Sequence, residues 1–139
     1  MYSNKNILYI ISSISAIEKI VIYTSGFSNS KELLLANNQL NFNGTLTLLI
    51  AIAEETKKID KDLLKVQPDI NWQNITDMRN VLAHDYRGVD PEIVFDVVRN
   101  ELPVLRKGLL HLLNLFPKSF VLQAVGTQTY IHLKNIITE

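Results

Sequence analysis

Ile7, Ile10, Ile11, Ile14, Ile17, Ile20 and Val21 recur at steps of three and four residues, the spacing that lays an apolar stripe along one side of an α-helix. A stripe of that length has to be buried, so the rest of the chain must supply elements that cover it. The remaining pattern is also helical. Gly26 is a natural end for the first helix. Ser28, Asn29 and Ser30 offer an N-cap for a short helix around Lys31 to Ala36, and Asn37 to Gly44 reads as a loop. A second long helix is predicted from about Thr45 to Val66. It is apolar nearly all round at first, charged from Glu54 onward, and closed by Pro68.

A third helix is predicted to begin near Trp72, capped by Asn71 or Asn74, with Gly88 placed just past Tyr86 as a C-terminal cap. Asp90, Pro91 and Glu92 then give a capping carboxylate, a proline at the first position and an acid in the first turn, a strong start for a fourth helix. That helix should run to about Phe116, kinked at Pro103 and ended by Pro117. The fold class is therefore all-α. Residues 1–117 are expected to form one helical domain, and residues 118–139 a C-terminal extension packed on it or trailing from it. A length of 139 residues suits one domain with one core.

Composition narrows the function classes. Fourteen Lys plus Arg balance fourteen Asp plus Glu, so no global basic field points to nucleic acid, and any RNA contact must come from a local patch. The absence of cysteine excludes a disulfide framework, a thiolate metal site and cysteine nucleophile chemistry, and it suits a reducing cytoplasm. The longest apolar run, Leu48 to Ala53, is far shorter than the roughly 20 residues of a membrane span. The N-terminus lacks the basic start and continuous apolar centre of a signal peptide. A soluble, cytoplasmic protein without a membrane partner is expected.

On a helical wheel the third helix separates into two faces. Ile75, Met78, Val81 and Leu82 fall within an arc of about 120° that should face the core. Thr76, Asp77, Arg79, Asn80, Ala83, His84 and Tyr86 lie on the polar or small side. An imidazole can take or give a proton near neutral pH and a guanidinium can grip a phosphate, so Arg79 and His84 suit metal-free cleavage of RNA. Spacing alone favours the plainer reading of a solvated Arg and a His beside a helix C-terminus.

The full stretch Met78-Arg79-Asn80-Val81-Leu82-Ala83-His84-Asp85-Tyr86, followed by Gly88-Val89-Asp90, closely resembles the R-x4-H-x-Y signature of the HepT family within the HEPN superfamily. The resemblance takes in Ile70-Asn71-Trp72 before the motif and Glu101-Leu102-Pro103 after it. It reaches back to Ile17-Glu18-Lys19-Ile20, Tyr23-Thr24 and Ile52-Ala53-Glu54, covering roughly residues 5 to 110. It implies an up-and-down bundle of four to five helices that forms a homodimer, so that two motifs meet in one cleft. It further implies a toxin ribonuclease in which the RNA 2′-hydroxyl attacks the neighbouring phosphate, with His84 as acid or base and Arg79 stabilising the phosphate charge. Asn80 would orient the imidazole or bind phosphate. Tyr86 would be the site where an MntA-like nucleotidyltransferase antitoxin attaches AMP, in the pair or in a larger toxin–antitoxin hetero-oligomer. On residue type alone, Tyr86 could equally pack its ring over the helix end.

Two departures from the family pattern stand out. Thr47, Leu48 and Ile50 occupy a helix face that is polar in many members, which implies a more apolar cleft wall, and Ala53 replaces a glycine. These changes leave room for an alternative: a non-catalytic helical dimer that binds a nucleotidyltransferase, nucleotide or RNA. No cofactor is expected. His111 reads as the edge of a packing face, His132 lies in the C-terminal segment, and the histidine spacing argues against a dedicated metal site. Arg87, Arg99, Arg106 and Lys107 could touch phosphate, although charged residues on a helix are usually just solvated. No P-loop or dinucleotide-binding glycine pattern is present.

Overall fold

The computed structural model describes residues 2–84 and 88–137, with the backbone alone described at His84. Among the described residues the regular structure is entirely helical. Helix α1 (Lys5–Thr24) is central and packs on α3 (Leu40–Lys58) and α7 (Leu102–Leu113). Its isoleucine stripe is the core: Ile7, Ile10, Ile11, Ile14, Ile17 and Ile20 are all buried, whereas Val21, assigned to the same stripe, is exposed. By length and hydropathy α1 would also pass for a membrane-crossing helix, and half of that stretch is buried inside the bundle. Thr24 is its last residue, and Gly26 follows with a φ of 86°, the left-handed cap the sequence predicts.

Polar contacts at both ends set α1 and α3 antiparallel. Asn6, buried at the start of α1, donates to Asp60 Oδ2 at 3.0 Å and accepts from the Asp60 backbone N–H at 2.9 Å, just beyond the end of α3. At the opposite end, Asn41 Nδ2 donates to the carbonyl of Tyr23 at 2.9 Å. This pairing corrects the predicted limits of the second helix. The chain leaves helical geometry at Ile59, whose ψ is 137°, and resumes as the separate short α4 (Lys61–Leu64). The local pattern would have continued to Val66, but the Asn6 clamp on Asp60 requires an extended step there. The start also moves, because α3 begins at Leu40. The expected loop contracts to a sharp reversal at Asn37, Asn38 and Gln39, with φ of 50°, 56° and 72°, after α2 (Ser30–Leu35). Asparagine tolerates that left-handed region better than most residues.

The fourth predicted helix is also divided. Asp90 caps α6 (Pro91–Asp96) by accepting from the Glu92 N–H at 2.9 Å, as its sequence signals require. Residues Val97–Glu101 then form a wide π turn, in which the Leu102 N–H reaches back to the Val97 carbonyl, before α7 begins. Pro103 has no N–H to offer the preceding turn, and the widened turn accommodates that loss where a kink was expected. Helix α7 stops at Leu113, short of Phe116. Beyond Pro117, α8 (Lys118–Val125) and a 3-10 turn at Ile131–Leu133 place Val121, Val125 and Leu133 in the common core, and α9 (Lys134–Ile137) follows. Ser15, buried in α1, shares a 3.1 Å hydrogen bond with His132 Nε2.

Helix α5 (Trp72–His84) begins where the sequence places it. Asn71 Oδ1 accepts from the Asn74 N–H at 3.1 Å, and Trp72 Nε1 donates to the Leu64 carbonyl, tying the helix start to α4. Helix α3 is its main neighbour. At the entry to α5, Gly108 of α7 permits a close approach: a Cβ there would come 2.2 Å from Ile70 Cδ1.

Candidate functional site

Arg79 projects from α5 toward α3, where Glu54 meets it. Arg79 Nη2 and Nε both point at one carboxylate oxygen, Glu54 Oε1, at 3.2 and 3.4 Å. The pair lies at the surface, with 34% of the arginine side chain and 51% of the glutamate exposed. A pair this exposed contributes at most about 1 kcal/mol to stability. Its effect is geometric: two donors of the guanidinium are oriented by a carboxylate, and among the described residues the other N–H groups remain for a second acceptor.

Asn80 follows Arg79, about 100° further round the helix, and is exposed. His84 closes α5, five residues and about 7.5 Å along the axis from Arg79. Its side chain lies outside the described residues, as does Tyr86. The structure thus leaves Arg79 partly accessible and Asn80 exposed and brings Glu54 to the first of them. Among the described residues, no three His, Asp or Glu side chains converge in a way that could hold a metal ion.

Glu54 is the functional candidate that local sequence reasoning did not assign. It precedes Arg79 by 25 residues and sits on another helix, so no motif spacing connects the two. Its sequence signals are that it opens the charged part of the second helix and falls within the Ile52-Ala53-Glu54 stretch that shares in the family resemblance.

The opposite side of α5 corrects the helical wheel. Leu82 is buried and Ile75 and Met78 are half-buried, but Val81, assigned to the core arc, is exposed. Helix α5 leans on α3, leaving a cavity of about 600 Å³ between its other side and the α6–α7 segment. Arg79 does not line that cavity.

Two of the four cations considered as phosphate contacts are committed elsewhere. Arg99 donates to the Phe27 carbonyl at 2.6 Å and lies over the Phe95 ring, and Arg106 pairs with Glu18 of α1. They brace α7 and the preceding turn, where simple solvation was expected. His111 is exposed, and Arg87 lies outside the described residues.

Helical packing around α1, with the part-exposed Arg79 guanidinium on α5, defines an all-α bundle of the HEPN kind. The comparison with known proteins is specific. The profile of the ribonuclease HepT-like family matches residues 13–112, and the chain belongs to that family. A Methanocaldococcus jannaschii protein named as an RNase is 27% identical over 71 residues, 51% of this chain and 65% of that protein. A Thermococcus cleftensis protein named as a ribonuclease HepT is 34% identical over 55 residues, 40% of this chain and 50% of the relative. A second RNase-named protein of Methanocaldococcus jannaschii is 34% identical over 71 residues and matched over 61% of its length. The chain therefore aligns with less than two thirds of each of these relatives. No solved structure matches it.

Proposed function

We propose that the protein is a metal-independent ribonuclease acting as the toxin of a type II toxin–antitoxin pair. The observation that carries this reading is the Arg79 guanidinium, held by Glu54 on the open face of α5, within a chain of the HepT-like ribonuclease family. The site is composite in a homodimer, where two copies of α5 bring two Arg79 and two His84 side chains to one phosphodiester in the cytoplasm.

The chemistry follows from the two side-chain types. One imidazole removes the proton of the RNA 2′-hydroxyl, whose oxygen bonds to the adjacent phosphorus. The bond from phosphorus to the 5′-oxygen breaks, and that oxygen takes a proton from the imidazolium of the second copy. Arg79 stabilises the negative charge that grows on the phosphoryl oxygens, and Asn80 orients the imidazole or the phosphate. AMP attached to Tyr86 by an MntA-like nucleotidyltransferase would put a bulky anion beside Arg79, filling the cleft and occupying the phosphate site.

Incubation of the purified protein with labelled RNA in EDTA tests the nuclease reading. The parent is expected to cut, and His84→Ala to cut about 10²–10⁴-fold more slowly. No cutting by the parent would instead support the non-catalytic dimer, which the apolar Leu48 and Ile50 on α3 favour. For the regulatory tyrosine, intact mass is measured after mixing with a nucleotidyltransferase partner and ATP. The parent should gain the mass of AMP and Tyr86→Phe should not, so equal gain by both would exclude Tyr86 as the acceptor.

A further inference from the structure

The cavity between α5 and the α6–α7 segment has an apolar floor and an acidic rim. Met78, Leu82, Val94, Val97 and Leu105 line its interior. Val81, Ile93 and Val104 stand at its edges, 57%, 63% and 59% exposed, which is unusual for three large aliphatic side chains around one opening. Four carboxylates also line it, Asp69, Asp77, Asp90 and Glu101, and all four residues are exposed. Among the described residues, its lining includes no Lys, Arg or His.

These features select the occupant. RNA is disfavoured, because four carboxylates repel a phosphate backbone and nothing described in the lining offsets them. A second copy docked face to face about a two-fold axis would set the same acidic rim against itself, which works against self-association through this surface. A partner that carries an apolar ridge flanked by cations satisfies both floor and rim. The α5 residues of the lining run from Asn74 to Leu82, about 12 Å along the helix axis, the reach of the two turns that carry side chains at i, i+3, i+4 and i+7 on a partner helix.

We propose that this groove is a docking surface for a basic amphipathic helix of another protein. The helix inserts its apolar side chains between α5 and α6, and its Lys or Arg residues meet Asp69, Asp77, Asp90 and Glu101. The surface is separate from the Arg79 face of α5 and does not depend on the nuclease reading. It leaves Arg79 and Asn80 free while the groove is filled.

The probe is a synthetic helical peptide with Leu at i, i+3, i+4 and i+7 and Lys at the flanking positions, compared with the same Leu ridge flanked by Glu. Fluorescence anisotropy with the full chain should show the Lys peptide binding at least about tenfold more tightly than the Glu peptide, with affinity falling as salt rises. The full-chain variants Ile93→Lys and Asp77→Lys/Glu101→Lys, each with an unchanged circular-dichroism melt, should each weaken binding by at least about tenfold. Equal binding of both peptides, no binding of either, or binding indifferent to these variants would overturn the proposal. A parent dimer that becomes monomeric in Ile93→Lys by light scattering would overturn it as well, by assigning the face to a second copy.

Discussion

Arg79→Ala is expected to cut RNA about 10²–10³-fold more slowly than the parent in EDTA, the loss typical of removing one donor group aimed at transition-state charge. The reason is visible in the geometry. Glu54 Oε1 accepts from Nε and Nη2, which fixes the plane of the guanidinium while leaving other donors for a phosphoryl oxygen. Lysine keeps the charge but loses the planar fork, so Arg79→Lys should recover only part of the rate. Stability provides the control. The Glu54 pair is exposed and contributes at most about 1 kcal/mol, so the melting temperature of Arg79→Ala should fall by no more than about 4 °C. A variant that stays folded and cuts at the parental rate would remove Arg79 from the chemistry.

Ile14→Ala should produce the largest stability loss, about 2–5 kcal/mol, measured by urea denaturation with an unchanged m-value. Ile14 is fully buried at the middle of α1, between the Asn6–Asp60 clamp at one end and the Asn41–Tyr23 contact at the other. Because both ends of the α1–α3 pair are tied by hydrogen bonds, the helices have little freedom to close over the lost methylenes, and a cavity remains. A domain of this size is typically stable by about 5–15 kcal/mol, so the change could consume much of the total. Leu8→Ala is the matched comparison: Leu8 is on the same helix but 51% exposed, and its loss should stay near 0.5 kcal/mol. If the two variants cost the same, α1 is not the core helix.

Features encoded within a few residues were readable before any coordinates. The isoleucine stripe of α1, the Gly26 cap, the Asn71 start of α5 and the Asp90-Pro91-Glu92 start of α6 all appear where the sequence puts them. Each depends on turn periodicity or on a side chain bonding its own neighbouring backbone, and such interactions are complete within one or two turns.

Contacts between distant segments decided the rest. Helix α3 ends at Lys58 because Asn6, 54 residues before Asp60, holds the next step extended. Glu54 finds Arg79 only because α3 and α5 lie side by side, and Val81 stays exposed only because α5 leans on α3 and stands off from α6. A wheel drawn on one helix records which residues share a side; how far a neighbour covers that side depends on packing, to which residues throughout the chain contribute.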